Sequence, residues 1–136
     1  MPDINFAASV SVAGGQSFQV VRKIPADAVD FIEATVTSGT TALPVQVQPG
    51  PLDRIRCLVV VADVYSPALG YHLEDPVTNP TADFFILDEP HTLLGAGALK
   101  FAGSAPTTIY FSNSTSGADA KDFKVRLLVG RKAVGP

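Results

Sequence analysis

The side chains best equipped for chemistry in this chain are two histidines, His72 and His91, and the carboxylates near them, Glu74, Asp75, Asp88 and Glu89. His72-x-Glu74 sets two metal-ligand types on one side of an extended segment, the beginning of a metal site. A jelly-roll enzyme of the cupin type carries a tighter His-x-His with a following Glu on the sheet, and that pattern is absent. The two clusters therefore read as solvated loop charges, and no metal site is assigned. Nucleophilic catalysis lacks its parts: there is no G-x-S-x-G elbow, and the histidines lie in loop-like contexts. The lone Cys57 sits in an apolar run, where a thiol packs rather than reacts. Gly95-Ala96-Gly97 lacks the third glycine and the strand–helix setting of a dinucleotide cradle, so no cofactor is expected. Asn113-Ser114-Thr115 matches a glycosylation acceptor, but with no secretory leader it reads as loop composition. The sequence points away from an enzyme.

Sugar recognition usually exposes an aromatic platform. Here there is no tryptophan, and Tyr65, Tyr71 and Tyr110 are scattered. Tyr65 and Tyr71 flank a long loop, where they either form a small patch or pack at the rim of the core.

The elements that must carry these residues are organised around 54–65, RIRCLVVVADVY. The run is apolar, heavy in β-branched residues and without helical spacing, which predicts a strand covered on both faces. On its N-terminal side, 4–12 alternates, with Ile4, Phe6, Ala8, Val10 and Val12 on one half-buried face. Gly14-Gly15 turns the chain, and 16–24 returns with Phe18 and Val20 inward, making an N-terminal hairpin.

The next stretch, 26–35, is ambiguous. Asp27, Asp30 and Glu33 recur as on a helix, whereas Ile32, Ala34 and Val36 alternate as in a strand; the preferred reading is a strand over 31–37, entered by one helical turn. A short strand spans 43–47, and Pro49-Gly50-Pro51 stops it. Residues 66–81 read as the longest loop, the kind of place where partner contacts concentrate. Strands follow at 84–87, 99–101 and 107–111. The connection SNSTSGADA has no apolar anchor and reads as an exposed loop. A final alternating strand covers 121–129, with 1–3 and 130–136 as possible arms.

These elements predict one all-β domain over 1–136. The class is an antiparallel β-sandwich of jelly-roll type with eight or nine short strands. Hydrophobic residues make up 46% and charged residues only 17% of the chain, a lean charge content that suggests surface covered by other protein. The net charge of −3, from 10 basic and 13 acidic residues without a basic stripe, excludes nucleic acid as an expected partner. No apolar span suits a membrane helix and no secretory leader is visible, so synthesis and folding in the cytoplasm are expected.

The C-terminal stretch LDEPHTLLGAGALKFAGSAPTTIYFSNSTSGADAKDFKVRLLVGRKA, about a third of the chain, resembles the closing part of small capsid decoration (cement) proteins of tailed bacteriophages. Residues 109–113 and 125–131 carry the likeness: a strand, an Asn, a small polar loop, and an alternating strand ending Leu-Val-Gly-Arg. The resemblance implies a compact β-sandwich sitting on the surface of a virion made in the host cytoplasm. It implies association with itself, as dimer or trimer, and with a major capsid protein by non-covalent contacts. The candidate contact elements are the N-terminal strand, the 66–81 loop and the tail from Gly130, and the candidate contact residues are Tyr65, Tyr71, His72 and Arg131. The alternative is a carbohydrate- or receptor-binding module of a fibre or adhesin.

Overall fold

A computed structural model describes residues 3–47, 54–99 and 108–132. The strands are β1 (Asp3–Ser11), β2 (Ser17–Pro25), β3 (Ala28–Val36), β4 (Leu43–Gln46), β5 (Ile55–Ala62), β6 (Leu69–His72), β7 (Phe84–Ile86), β8 (His91–Leu94), β9 (Thr108–Asn113) and β10 (Phe123–Arg131). One short helix, α1 (Gly95–Leu99), follows β8. Among the described residues no helix is long and apolar enough to cross a membrane.

Two four-stranded sheets, ordered β3-β10-β5-β8 and β4-β9-β6-β7, form a sandwich, while β1 and β2 form a separate two-stranded ribbon. In the sandwich the pairings β3–β10, β4–β9, β5–β8 and β6–β7 are all antiparallel and nest inside one another. The chain is thus one long hairpin, folded back between β6 and β7 and rolled over itself, which is a jelly roll. Among the described residues the strands number ten rather than eight or nine, with eight in the sandwich.

Alternation explains the core. Phe123, Val125, Leu127 and Val129 of β10 meet Ile55, Leu58 and Val60 of β5 and Ile109 and Phe111 of β9, all buried. Fully burying each of the larger side chains contributes about 1.5–3 kcal/mol.

Several expectations need correction. The segment 26–35 carries no helical turn, because β3 already begins at Ala28. The loop expected over 66–81 contains β6, hidden in the sequence by its brevity. Only Leu69 and Tyr71 alternate inward, and Gly70 is demanded because the Phe84 ring and the Phe85 carbonyl occupy the space a Cβ would need. A strand forms at His91–Leu94 and a helix at Gly95–Leu99, where the sequence suggested a strand from Leu99; residues 100–101 lie outside the described residues. Gly130 and Arg131 end β10 rather than begin an arm, and residues 133–136 lie outside the described residues, as does Pro49-Gly50-Pro51.

The loop after β9 does have an anchor, and it is polar. Asn113 is fully buried, its Nδ2 donating to the carbonyls of Val36 (2.9 Å) and Lys121 (2.6 Å). Its Oδ1 accepts from the Thr115 amide and hydroxyl at 3.0 and 2.7 Å. The Asn-Ser-Thr triplet is therefore a structural clamp that ties this loop to the end of β3.

Candidate assembly surface

The N-terminal ribbon sets the problem. β1 and β2 pair in full register from Asp3↔Pro25 to Ser11↔Ser17. Between them a Val12–Gly15 turn closes with a 2.8 Å hydrogen bond and Gly14 at φ +73°. Directly opposed residues share a face, so Ile4, Phe6, Ala8 and Val10 line up with Ile24, Arg22, Val20 and Phe18. One face is apolar apart from Arg22; the other carries Asn5, Ser9, Gln19 and Lys23, with a 3.3 Å ion pair from Lys23 to Asp3.

The expectation that the apolar face is buried fails. Phe18 is 60% exposed and Val10 47%, and every residue from 9 to 23 is exposed. Alternation reports that a strand is amphipathic; it does not report what covers the apolar side.

The ribbon meets the sandwich at its base. The Ile4 side chain rests on Gly130, in the space where a Cβ would stand, beside Cys57 and Ala26. Ala26 and Cys57 are buried here and lie outside the main core cluster. Burial raises the Cys57 thiol pKa, so the cysteine is a packing residue under the arm. A cleft of about 290 Å³ beside this base is lined by Arg22, Lys23, Arg56 and Lys132 together with Ile24 and Leu94.

The surface that receives Ile4 is the outer face of the β3-β10-β5-β8 sheet. Register places Val29, Gly130, Cys57 and Leu94 in one row across it, and Phe31, Leu128, Val59 and Thr92 in the next. Phe31 is 83% exposed, and Leu128 and Val59 are half-buried. The strand β5 was expected to be covered on both faces. In the single chain its inner face is, and its outer face keeps Val59 and Val61 half-open. The signal was present in the sequence: Phe31 runs in phase with Glu33 and Thr35, on the solvent side of β3, and β5 does not alternate.

The four residues singled out from sequence are dispersed. Tyr71 lies in the core, only 4% exposed, with Phe85 and Phe111 each 5.6 Å away between ring centroids. Its hydroxyl is 2.6 Å from His91 Nδ1, and burial pushes its pKa well above the ordinary 10.0. Its ring is thus withdrawn from the surface on which a partner contact was expected. Tyr65 is half-buried against the same core. His72, one residue beyond Tyr71, points to the opposite face, its ring 4.9 Å from that of Phe84 and its Nδ1 3.1 Å from the Asp83 carbonyl oxygen. Arg131 is half-buried and ion-paired with Asp30 at 2.8 Å, at the end of β10 where register sets Asp30 opposite the buried Val129.

The two histidines consequently face different surroundings. Among the described residues no three of His, Cys, Asp and Glu gather closely enough to hold a metal ion. The sandwich opens between β7 and β8 in a cavity of about 310 Å³ lined by Leu58, Tyr71, Leu73, Phe85, His91 and Leu93. It is apolar, and its Tyr71–His91 pair is already satisfied internally. Comparison with known proteins found no matching family model, no matching curated protein and no matching solved structure.

Proposed function

We propose that this chain is a structural virion protein, a capsid decoration (cement) protein that stabilises an assembled shell by non-covalent contacts with the major capsid protein and with its own copies. One observation carries the reading: a jelly-roll body bears an amphipathic hairpin whose apolar face its own body leaves open. An isolated two-stranded ribbon is marginal in water, and exposed apolar patches mark interaction sites. Such a chain reaches its stable state as part of an assembly.

Jelly rolls recur in viral capsid and lectin domains, and fold alone does not choose between them. The resemblance of 109–113 and 125–131 to decoration proteins favours the capsid. The protein would act by mass action, since binding to the assembled shell and not to its dissociated subunits shifts the equilibrium toward the shell. No step of chemistry is required of it. The alternative, a carbohydrate- or receptor-binding module, would use a platform around Tyr65 and Tyr71, and the Tyr71 ring lies in the core.

The test is to express the tagged chain during particle production and fractionate particles on a density gradient. The chain is expected in the particle band at a fixed ratio to shell protein. A chain found only in the soluble fractions refutes the reading.

A further inference from the structure

We infer that the apolar face of the β1–β2 arm is covered by the outer face of the β3-β10-β5-β8 sheet of a second copy of this chain, in a reciprocal exchange of arms. The inference rests on reading the chain as an assembly protein and names the surfaces and the partner.

Three observations carry it. The chain holds two unmatched apolar surfaces: the arm face with Phe6, Ala8, Val10, Phe18 and Val20 around Arg22, and the sheet row of Phe31, Leu128 and Val59, edged by a row in which Val61 stands beside Arg126 and Glu33. Reciprocal exchange covers both at once, whereas a foreign partner would need two separate matching surfaces. The fit is also sampled within one chain, because Ile4 of the arm already seats on Gly130 of this sheet face, one row from Phe31 and Leu128. The rows beyond that foot remain open to an arm arriving from elsewhere.

Size is the third. Strands of nine residues make a ribbon about 30 Å long and about 10 Å wide, presenting a face of about 300 Å². Two arms on two sheets remove on the order of 1,200 Å² from water, the lower edge of a stable, specific interface. Exchange of an identical element under closed symmetry is a low-cost route to such an oligomer.

The arrangement is tested by light scattering on the purified full chain, across a concentration series, with three exposed-site variants. Wild type is expected at twice the chain mass or a higher closed multiple. Phe18→Asp on the arm and Phe31→Glu on the sheet are each expected to weaken association at least about tenfold. Val77→Asp, at a residue 78% exposed on neither surface, is expected to leave it unchanged. Circular dichroism, with a Cys57 thiol still protected from reagent, establishes that each variant is folded. A wild type monomeric at 100 μM on the order of a weak complex's working range overturns the inference. So does a loss confined to one of the two surfaces, or a loss with Val77→Asp as well, which marks non-specific clustering. Particle binding is read separately. A chain that self-associates through these surfaces and never enters particles removes the virion reading and leaves this one standing.

Discussion

The jelly-roll body and the N-terminal ribbon are built from the same kind of strand and differ in what covers them. In β10 the alternate residues Phe123, Val125, Leu127 and Val129 are buried under a second sheet. In β1, and less regularly in β2, the alternation ends at open surface. Backbone pairing runs the full length of β1–β2 and of β3–β10, with one irregularity at Gly130/Arg131 where β10 meets β5. The difference shows that cross-strand hydrogen bonds alone decide shape, whereas burial decides where stability resides, since the net contribution of a hydrogen bond is small beside that of a buried side chain. The body accounts for folding, and the ribbon is left as the part that association must complete.

Paired phenylalanine truncations give the largest expected contrast. Phe111→Ala empties a fully buried site and is expected to destabilise by about 3–5 kcal/mol. Phe18→Ala in the ribbon should shift the stability of the dilute monomer by less than about 0.5 kcal/mol. Chemical denaturation of both variants checks this, and comparable losses would mean that the ribbon is part of the folded core.

Asn113→Ala probes the buried polar clamp of the body. It takes the Nδ2 donor from the carbonyls of Val36 and Lys121, the second of which keeps the Thr115 hydroxyl, and is expected to lower stability by about 1–3 kcal/mol, measured in the same way.

Alkaline titration separates the regions again. Burial raises Tyr71 above 10.0 and Cys57 above 9.0, so above those values the unfolded chain has released protons that the folded chain retains. Stability is therefore fully present below about pH 9 and falls as pH rises, by up to about 1.4 kcal/mol per pH unit for each group while its folded form stays protonated. Tyr71→Phe should remove the part of this slope that begins near pH 10, as read from urea midpoints. A slope left unchanged would contradict the placement of Tyr71.

Gly130→Ala acts at the junction and should cost less than Asn113→Ala. The added methyl meets the flexible end of Ile4 and lies 3.4 Å from the Cys57 Cβ, so the foot of the arm lifts while β10 stays paired. Stability should fall by less than about 1.5 kcal/mol. Cys57 should react faster with a thiol reagent, and an unchanged rate would mean that something other than the arm shields it.

Much of the body was legible from sequence, because β9 and β10 bury alternating patterns whose period identifies them and β5 is an unbroken apolar run of strand length. β6 was not, since four residues carrying a glycine and a histidine leave too little pattern, and its place is set by pairing with β7 and β9. The same brevity hid the facing of two candidate residues: alternation in β6 sends Tyr71 inward and His72 outward, which composition could not order. The hairpin itself was legible, down to its glycine turn. Its exposure was not, because an amphipathic strand has the same sequence whether its cover comes from its own chain or from another. The clue lay in β5, whose lack of alternation asks for cover on two faces while the chain supplies most of it on one.

The division of labour between body and ribbon is tested most directly by hydrogen exchange of the full chain, resolved by peptide, at low and at high protein concentration. In dilute solution the amides of 3–25 should exchange orders of magnitude faster than those of β5 and β10, through local opening of the weakly supported ribbon. At high concentration their protection should rise while that of the body stays constant. Ribbon amides as slow as those of β10 at every concentration would contradict the account, because the ribbon would then be held by its own chain.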